Sequence, residues 1–367
     1  MSTKLRVGVV GTGVIGQVMH LHFLRELNDL YEISAICDLS ATVGRACAEE
    51  YGVPEVFTEW REMLDATHLD AIFILTSGSH APLAIEAARR GLHVFTEKPM
   101  CFSVAEGMEM VAEARSAEVA LMVGYPKRYD PAFARFQEVS AELSGPKLLR
   151  VTTTESPFVP YVSHYPMHRS DDVSAEVLAP LIADTDERLR KAIGTDDAFL
   201  LQQYANVLLD TLVHEINTTR GLLGEPDSLD FVEVRPGALN AHLTFGDVAT
   251  AIHWVDTPAM TRYSMEFALL AEGGRATLRF PSPYLRNAPT ALRIEGGEPG
   301  ESSSYKRDDV VSYESGFKRE LIAFHALAST GAPVATSGED ALGDIAMCQS
   351  IVRSLQTRSP ISQPTQF

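Results

Sequence analysis

The chain has 367 residues, of which 45% are hydrophobic and 22% are charged. At roughly 100–200 residues per domain, this length predicts two domains, and the apolar content is sufficient for a core in each. Asp and Glu number 49 against 31 Lys and Arg, which gives a formal net charge of −18. This charge repels phosphate backbones, so nucleic-acid binding is disfavoured as the main function.

Neither the cysteines nor the apolar segments indicate secretion or a membrane protein. The four cysteines form no CxxC pair and are too sparse for a disulfide framework, so a reducing compartment fits best. The apolar stretches all fall short of the roughly 18 residues that a membrane span requires. Residues 1–6 lead directly into a strand-like run, which leaves no space for a secretory signal. We therefore expect a cytoplasmic protein with no membrane partner.

The first 125 residues alternate strand-like and helix-like segments. Short apolar runs that alternate with helices of about 10–15 residues predict βαβ units around a doubly wound parallel sheet. The predicted strands are residues 5–10, 32–37, 56–57, 71–75, 93–96 and 119–124. The predicted helices follow residue 16 and cover 41–51, 82–90 and 104–114.

A glycine-rich turn joins the first predicted strand to the first helix. Its residues are Gly11, Thr12, Gly13, Val14, Ile15 and Gly16. Such glycines permit a tight turn and a close approach of the backbone to a pyrophosphate, which the helix N-terminus attracts. The motif alone is weakly diagnostic, but here an acidic residue, Asp38, ends the second predicted strand. Asp38 would bind the ribose hydroxyls and repel a 2′-phosphate, which favours NAD over NADP; the alternative is that it only caps the next turn.

Lys98 follows the fifth predicted strand, within Glu97-Lys98-Pro99. Pro99 biases Lys98 away from helical dihedral angles. The lysine is thereby held at the carboxyl edge of the parallel sheet, which is where ligands bind in open α/β folds. An ammonium group at that edge can polarise a carbonyl or stabilise an alkoxide.

A later apolar helix carries Asp210, His214 and Asn217. Spacings of four and three residues predict that the three side chains share one face of the helix. Polar groups on such a helix must be paired or must line a site. The pattern is therefore either a buried histidine with an acidic neighbour or part of an active site.

Strands follow strands in much of the second half, joined by short glycine turns, which predicts a mainly antiparallel, hairpin-rich sheet in an α+β domain. The predicted strands are residues 147–154, 231–235, 238–245, 248–255, 264–271 and 275–280. A charged stretch at residues 174–193 is predicted to be helical. His164 and His168 have a metal-ligand spacing, but Pro166 between them argues against a regular helix, and we expect no metal site.

Several of these segments together resemble the Gfo/Idh/MocA family of nicotinamide-dependent oxidoreductases, which includes glucose–fructose oxidoreductase and inositol dehydrogenases. They are the glycine turn, TSGSH at 76–80, GLHVFTEKP at 91–99 and GYPKRYDP at 124–131. The segment 315–354 also looks like the family, so the resemblance covers nearly the whole chain. It implies a Rossmann NAD-binding domain at residues 1–125 and a substrate-binding and oligomerisation domain at 126–367, with the last helices able to pack back on the first domain.

The resemblance also implies an open-faced second sheet and an active site beside the nicotinamide. Because an uncovered sheet face favours pairing, we expect a homodimer or homotetramer. His214 is expected to act as the general base, Asp210 to orient its imidazole, and Lys98 to stabilise the alkoxide. Family members often carry an aspartate at the position of Asn217. The expected cofactor contacts beyond the glycine turn and Asp38 are Thr76, Ser77, His80, Glu97 and Lys98. The expected substrate contacts are Lys98, Tyr125, Lys127, Arg128, Asp210, His214 and Asn217.

The interval 154–210 is longer than the family leads us to expect, and the family's glycine cluster before the aspartate is absent. A loop of this length is usually functional or contains its own helix. We expect residues 157–193 to form a lid or pocket wall that contacts the substrate rather than the cofactor. The alternative is that they pack against a neighbouring subunit.

The sequence therefore predicts an NAD-dependent dehydrogenase that oxidises a secondary alcohol of a sugar, cyclitol or derivative. One alternative is an enzyme that uses tightly bound NAD transiently for glycoside cleavage or epimerisation. The other is a non-catalytic NAD-sensing or scaffolding protein, although the joint presence of Lys98, Asp210 and His214 argues against it.

Overall fold

The computed structural model of the protein describes residues 4–298, 300 and 302–357. Residues 1–3 and 358–367, which the predicted domain ranges include, lie outside the described residues. The fold consists of a parallel sheet built from the first third of the chain and a larger mixed sheet built from residues 146–310. The predicted fold class is confirmed.

The first sheet is parallel throughout, and helices cover it. Its strands are β1 (Leu5–Val10), β2 (Tyr31–Cys37), β3 (Glu55–Phe57), β4 (Ala71–Ile74), β5 (His93–Glu97) and β6 (Leu121–Gly124). They lie in the order β3-β2-β1-β4-β5-β6, so the order reverses between β1 and β4, and ligands bind at such a switch point. The helices are α1 (Leu21–Glu26), α2 (Ala41–Tyr51), α3 (Trp60–Ala66), α4 (Ala81–Arg89) and α5 (Val104–Ser116). A π-helical turn, Gly16–His20, precedes α1.

A 3-10 turn (Pro126–Tyr129) and α6 (Pro131–Glu142) lead into the second sheet. Its strands are β7 (Pro146–Glu155), β8 (Ser228–Arg235), β9 (Ala238–Phe245), β10 (Val248–Asp256), β11 (Ser264–Ala271), β12 (Gly274–Phe280), β13 (Ala291–Gly297) and β14 (Ser304–Val310). The order is β14-β13-β12-β11-β7-β10-β9-β8. Neighbouring strands are antiparallel except for β7 and β10, which pair in parallel.

The two faces of the second sheet differ in polarity. Leu149 and Val151 of β7 are fully buried on the inner face. On the outer face, Arg150 and Arg279 place guanidinium nitrogens 3.3 and 2.5 Å from the carboxylate of Glu266. This alternation is typical of an antiparallel sheet with one covered and one polar face.

The remaining helices connect the sheets and close the chain. They are α7 (Val159–Val162), α8 (Ala175–Ile193), α9 (Ala198–Gln203), a π-helical segment (Tyr204–Leu212), α10 (Val213–Leu223), α11 (Gly316–Thr330) and α12 (Gly338–Thr357). The last two helices contact the N-terminal third. Phe324 of α11 packs against Phe73 and Phe95, with ring centroids 5.4 and 5.5 Å apart, and α12 packs against α5 and α10.

Candidate active site

A cavity of about 990 Å³ extends from the glycine-rich turn to the inner face of the second sheet. The first sheet contributes residues at the carboxyl ends of its strands, and the π-helical segment and α10 contribute the opposite wall. The predicted site residues that line it are Gly13, Val14, Ile15, Thr76, Ser77, Glu97, Lys98, Lys127, Asp210 and His214. Residues far apart in the sequence are thus brought to one cavity.

The glycine-rich turn has the shape that a dinucleotide pyrophosphate requires. Gly11 has a φ of +93°, and a Cβ atom there would lie 2.9 Å from the backbone of Leu75. At Gly16 a Cβ atom would lie 2.8 Å from the carbonyl oxygen of Gly11, whereas at Gly13 it would meet nothing within 4 Å. Gly11 and Gly16 are therefore needed to close the turn, and Gly13 leaves open space beside the backbone. The residues fit the predicted cofactor.

Asp38 lies next to this turn and is bound to it. Its Oδ2 accepts hydrogen bonds from the backbone N and Oγ1 of Thr12, at 2.7 and 2.6 Å, and its Oδ1 accepts one from the backbone N of Ser40. A carboxylate has about four acceptor sites, so Asp38 retains capacity for ribose hydroxyls. Thr12 is buried and positions Asp38 through these two hydrogen bonds, and its own contact with the cofactor stays a prediction.

The loop after β4 has its predicted place, with one exception. Thr76 and Ser77 line the cavity, but His80 is buried behind them. Its Nε2 lies 2.7 Å from the carbonyl oxygen of Thr76, which can only accept, so Nε2 donates. Burial lowers the pKa of His80. The side chain of His80 thus supports the loop from inside, and its contact with the cofactor stays a prediction.

Glu97 fixes the turn that carries Lys98. Its Oε1 lies 2.6 Å from Nε2 of His20, and its Oε2 accepts a hydrogen bond from the backbone N of Lys98. Burial would raise the pKa of Glu97, but the hydrogen bond from His20 and the nearby charges outweigh burial and lower it. Glu97 is therefore a buried, charged support beneath the lysine at the cavity wall.

Lys98 pairs with Asp210 across the cavity. Its Nζ donates to Oδ1 of Asp210 at 2.9 Å and to the backbone carbonyl oxygen of the same residue at 2.5 Å. The expected hydrogen bond from His214 to Asp210 is not found among the described residues. The reason is electrostatic, because a carboxylate gains more from an ammonium group than from a neutral imidazole. Asp210 is thus placed to orient Lys98, and the expectation that it orients His214 stays a prediction.

His214 is held as a neutral imidazole. Burial, followed by the positive charges of Lys127 and Lys98, lowers its pKa well below the usual 6.5. Its Nδ1 is buried and has no hydrogen-bond partner among the described residues. The ring of Tyr125 packs edge-on against it, with centroids 6.0 Å apart. A neutral imidazole beside a cavity can accept a proton at neutral pH.

Lys127 and Glu215 place two further titratable groups at the cavity wall. Burial lowers the pKa of Lys127 to about 8, although Glu215 opposes this shift. Burial raises the pKa of Glu215 to about 7, against the opposing effects of Thr153 and Lys127. Oε1 of Glu215 accepts a hydrogen bond from Oγ1 of Thr153, whereas Oε2 is buried without a partner among the described residues.

Sequence reasoning named Lys127 but missed Glu215. The available signal was a carboxylate directly after His214, which the sequence predicted to be catalytic. Glu155, at the end of β7, also lines the cavity, and burial raises its pKa. It was missed because the sequence does not reveal which end of an antiparallel strand faces the first sheet.

Three predicted substrate contacts do not line the cavity. Tyr125 is fully buried behind His214. Arg128 donates to the backbone carbonyl oxygens of Asn217 and Ala335, at 3.1 and 3.2 Å. Nδ2 of Asn217 donates to Oδ2 of Asp344 in α12 at 2.8 Å. The structure therefore does not place Tyr125, Arg128 and Asn217 at the cavity, since Asn217 joins α10 to the last helix, and their contact with substrate stays a prediction.

The long segment 157–193 contributes to both ends of the cleft. Pro157, Phe158 and Tyr161 line the cavity, as do Thr185 and Leu189 of α8. These contacts agree with a pocket wall. Residues between α7 and α8, however, bind Gln17, directly after the glycine-rich turn, and Thr42 in the first turn of α2. The segment therefore also lies beside the predicted cofactor site, and its contact with substrate rather than cofactor stays a prediction.

Other features bear on location and metals. The four cysteines are buried and unpaired. Among the described helices, none combines the length and apolar character needed to cross a bilayer. Nε2 of His168 lies 2.9 Å from Oε2 of Glu50.

The chain is similar to known oxidoreductases. Residues 5–125 match the family model described as an oxidoreductase family with an NAD-binding Rossmann fold. The chain is 23% identical to myo-inositol 2-dehydrogenase of Thermotoga maritima over 97% of its own length and 98% of that protein. It is 32% identical to the oxidoreductase YrbE of Bacillus subtilis, over 44% of this chain and 48% of YrbE.

A similar solved structure supports the fold. The 3-ketoreductase KijD10 from Actinomadura kijaniata, in complex with NADP, superposes with a TM-score of 0.72. The two chains share 18% identity, and the match covers 96% of this chain and 97% of KijD10. At this identity the likeness shows a common fold.

Proposed function

We propose that this chain, which belongs to the Gfo/Idh/MocA oxidoreductase family, is an NAD-preferring dehydrogenase that oxidises a secondary alcohol of a sugar, cyclitol or related polyol. The observation that carries the proposal is that the neutral imidazole of His214 and the ammonium group of Lys98 line the same cavity, which begins at the glycine-rich turn. The similarity to myo-inositol 2-dehydrogenase over almost the whole chain supports the substrate class.

The nicotinamide, when bound, accepts the hydride. Residues of the chain accept the hydroxyl proton and stabilise the charge that develops on the oxygen. His214 accepts the hydroxyl proton at Nε2, because burial and two nearby lysines keep the ring neutral. The ammonium group of Lys98 stabilises the negative charge that develops on the oxygen.

Asp210 acts as a positioning residue for Lys98. The ammonium group donates to both the carboxylate and the backbone carbonyl of Asp210, which fixes its direction. Lys127 and Glu215 lie at the same wall and provide a buried donor and acceptor for the substrate's other hydroxyl groups. Carboxylates and lysines of this kind, with the aromatic side chains of Tyr161, Tyr263 and Tyr284 nearby, suit a polyhydroxylated substrate.

NAD is the preferred cofactor in this proposal because Asp38 lies beside the glycine-rich turn. Its carboxylate would accept hydrogen bonds from the ribose hydroxyls and repel a 2′-phosphate. The domain boundary after Tyr125 is supported by the family match, which ends at residue 125.

We also assign a homo-oligomer, a homodimer or homotetramer, to the protein, and a cytoplasmic location. Pairing of two copies is supported by the edge strand β14, where the large apolar side chains of Tyr305 and Val310 are exposed. The four unpaired thiols support a reducing compartment. Light scattering on the purified chain tests the assembly, and a monomer mass at micromolar concentration would contradict it.

A panel of inositols, aldoses, amino sugars and sugar acids tests the function directly, with NAD and NADP supplied separately. We expect at least one member to produce reduced cofactor in proportion to the oxidised product, and faster with NAD. An enzyme that uses bound NAD transiently would convert substrate without accumulating free NADH. Binding of NAD with no turnover of any member would contradict the proposal.

A further inference from the structure

Residues 163–174, between α7 and α8, extend from the second half of the chain to the dinucleotide-binding third. We name this segment the strap. Tyr165 anchors its start, because its hydroxyl donates to the backbone carbonyl of Tyr284 at 2.8 Å and Arg286 lies 4.5 Å above its ring. The side chains of Tyr165 and Met167 also pack against the apolar core of the first sheet.

Gln17 ties the strap to the glycine-rich turn. Its Oε1 accepts a hydrogen bond from the backbone N of His168 at 2.8 Å, and its Nε2 donates to the backbone carbonyl of His168 at 3.1 Å. The same Nε2 donates to the carbonyl oxygen of Thr12 at 2.6 Å. One side chain therefore holds both the turn and the strap.

Asp172 ties the end of the strap to the loop after β2. Its Oδ1 accepts a hydrogen bond from Oγ of Ser40 at 2.5 Å, and its Oδ2 accepts one from the backbone N of Thr42 at 3.0 Å. Thr42 lies in the first turn of α2, where backbone N–H groups have no partner within the helix. The backbone N of Ser40 donates to Asp38, so Asp38 and Asp172 bind the same short loop.

These donors matter because the loop after the second strand receives the adenosine ribose in the dinucleotide fold. A serine hydroxyl and a free N–H at a helix N-terminus are the groups that bind phosphate oxygens in proteins. In this chain they are already bound to a carboxylate from another part of the molecule. A 2′-phosphate would have to displace Asp172 and would also meet its negative charge.

We propose that Asp172 is a second determinant of cofactor choice, which disfavours NADP by occupying the donors that a 2′-phosphate would use and by adding charge beside Asp38. The inference rests on the proposed function, since it needs a dinucleotide in the cleft. It also assigns a purpose to the unusually long segment before Asp210. The strap lies beside the proposed cofactor site, and α8, which follows it in the same segment, lines the cavity at the other end.

The test compares Asp172→Asn with the matched control Asp171→Asn, which removes the same charge one residue away on an exposed side chain. NADH and NADPH are titrated separately into each full-length protein, and binding is followed by the fluorescence of the reduced nicotinamide. We expect Asp172→Asn to tighten NADPH binding about two- to fivefold, the range measured for exposed charge pairs, with NADH affinity nearly unchanged. The gain should shrink at high salt, because exposed charges are screened.

An unchanged ratio of NADPH to NADH affinity in Asp172→Asn would overturn the inference, as would an equal change in the Asp171→Asn control. A purely structural role for Asp172 would lower the unfolding temperature and weaken both dinucleotides alike. Asp172→Ala, which also frees Ser40 and Thr42, should tighten NADPH binding at least as much as Asp172→Asn. If the unmodified protein bound neither dinucleotide, the proposed function would fail rather than the assignment of Asp172.

Discussion

The two ends of the cleft differ in how their polar groups are hydrogen-bonded. Beside the glycine-rich turn, which we call the adenosine end because we propose that the adenosine ribose binds there, Asp38, Ser40 and Asp172 share a set of hydrogen bonds with backbone and side-chain donors. At the chemical end, where we propose that the proton and the hydride are transferred, Nδ1 of His214 and Oε2 of Glu215 are buried without partners among the described residues. The polar groups of the first end are thus hydrogen-bonded within the protein, whereas the second end keeps polar atoms without a protein partner among the described residues.

The energetics explain why this difference is informative. A buried polar group without a hydrogen bond costs about 1–3 kcal/mol. Perturbed titratable groups in a cavity are typical of functional sites. The comparison therefore predicts that changes at the chemical end reduce turnover, whereas changes at the adenosine end alter cofactor affinity and choice.

The largest effect is expected at Lys98 and His214. Lys98→Ala or His214→Ala should each lower kcat by about 10²–10⁴, because each removes a charge-stabilising or proton-accepting group. NADH affinity should change by less than about threefold. Steady-state kinetics and NADH titration measure the two quantities, and Lys191→Ala, on the exposed face of α8, is a control. Near-normal turnover in either variant would show that its assigned role is wrong.

A substitution of Asp210 also tests the expectation that changes at the chemical end reduce turnover. Asp210→Asn should lower kcat about ten- to a hundredfold, the equivalent of one charge-assisted hydrogen bond to Lys98. The acid limb of the pH–rate profile, which reports the pKa of His214, should keep its position because Asp210 does not contact the imidazole. A clear displacement of that limb would show that Asp210 acts on His214 after all.

A substitution at the adenosine end should have a smaller effect, and on cofactor preference rather than on turnover. The unmodified enzyme should prefer NAD over NADP by at least about tenfold, or roughly 1.4 kcal/mol. Asp38→Ala should narrow that gap by weakening NAD and admitting NADP, while kcat at saturating cofactor stays close to normal. Equal kcat/KM for the two cofactors in the unmodified enzyme would contradict the assignment of Asp38.

The smallest effect concerns the pH dependence of stability at Glu215. Its folded pKa of about 7 lies above the ordinary 4.5. A raised folded pKa contributes stability below pH 4.5, and this contribution is lost as pH rises through 7. Glu215→Gln should remove this loss, so its Tm should fall less between pH 5 and pH 8, by about 2 °C. Parallel Tm curves for the two proteins would show that the carboxyl group is not strained by burial.

The fold could be predicted from the sequence wherever local patterns decide it. The bounds of β1, α2, β9 and β11 agree with the predicted ranges. Strands β13 and β14 were missed because β14 is mostly charged and exposed, so it lacks the apolar alternation that identifies a strand.

The site was predicted less completely because it depends on contacts between distant residues. Lys98, Lys127, Asp210 and His214 all line the cavity, as their motifs suggested. Asn217 does not, because Asp344, which is 127 residues away, binds its side chain. No local pattern reveals such a partner. The contact between Asp172 and Ser40 spans 132 residues and was missed for the same reason.

The most direct test of the central claim follows the transferred hydrogen itself. The best substrate from the panel is deuterated at the carbon that bears the reacting hydroxyl, and NADH from a complete turnover is examined by mass spectrometry. The account predicts one deuterium in each NADH molecule, and a turnover by Lys98→Ala that is about 10²–10⁴ slower but transfers the same label. Oxidised product accompanied by unlabelled NADH, or by no free NADH, would contradict hydride transfer to a released cofactor.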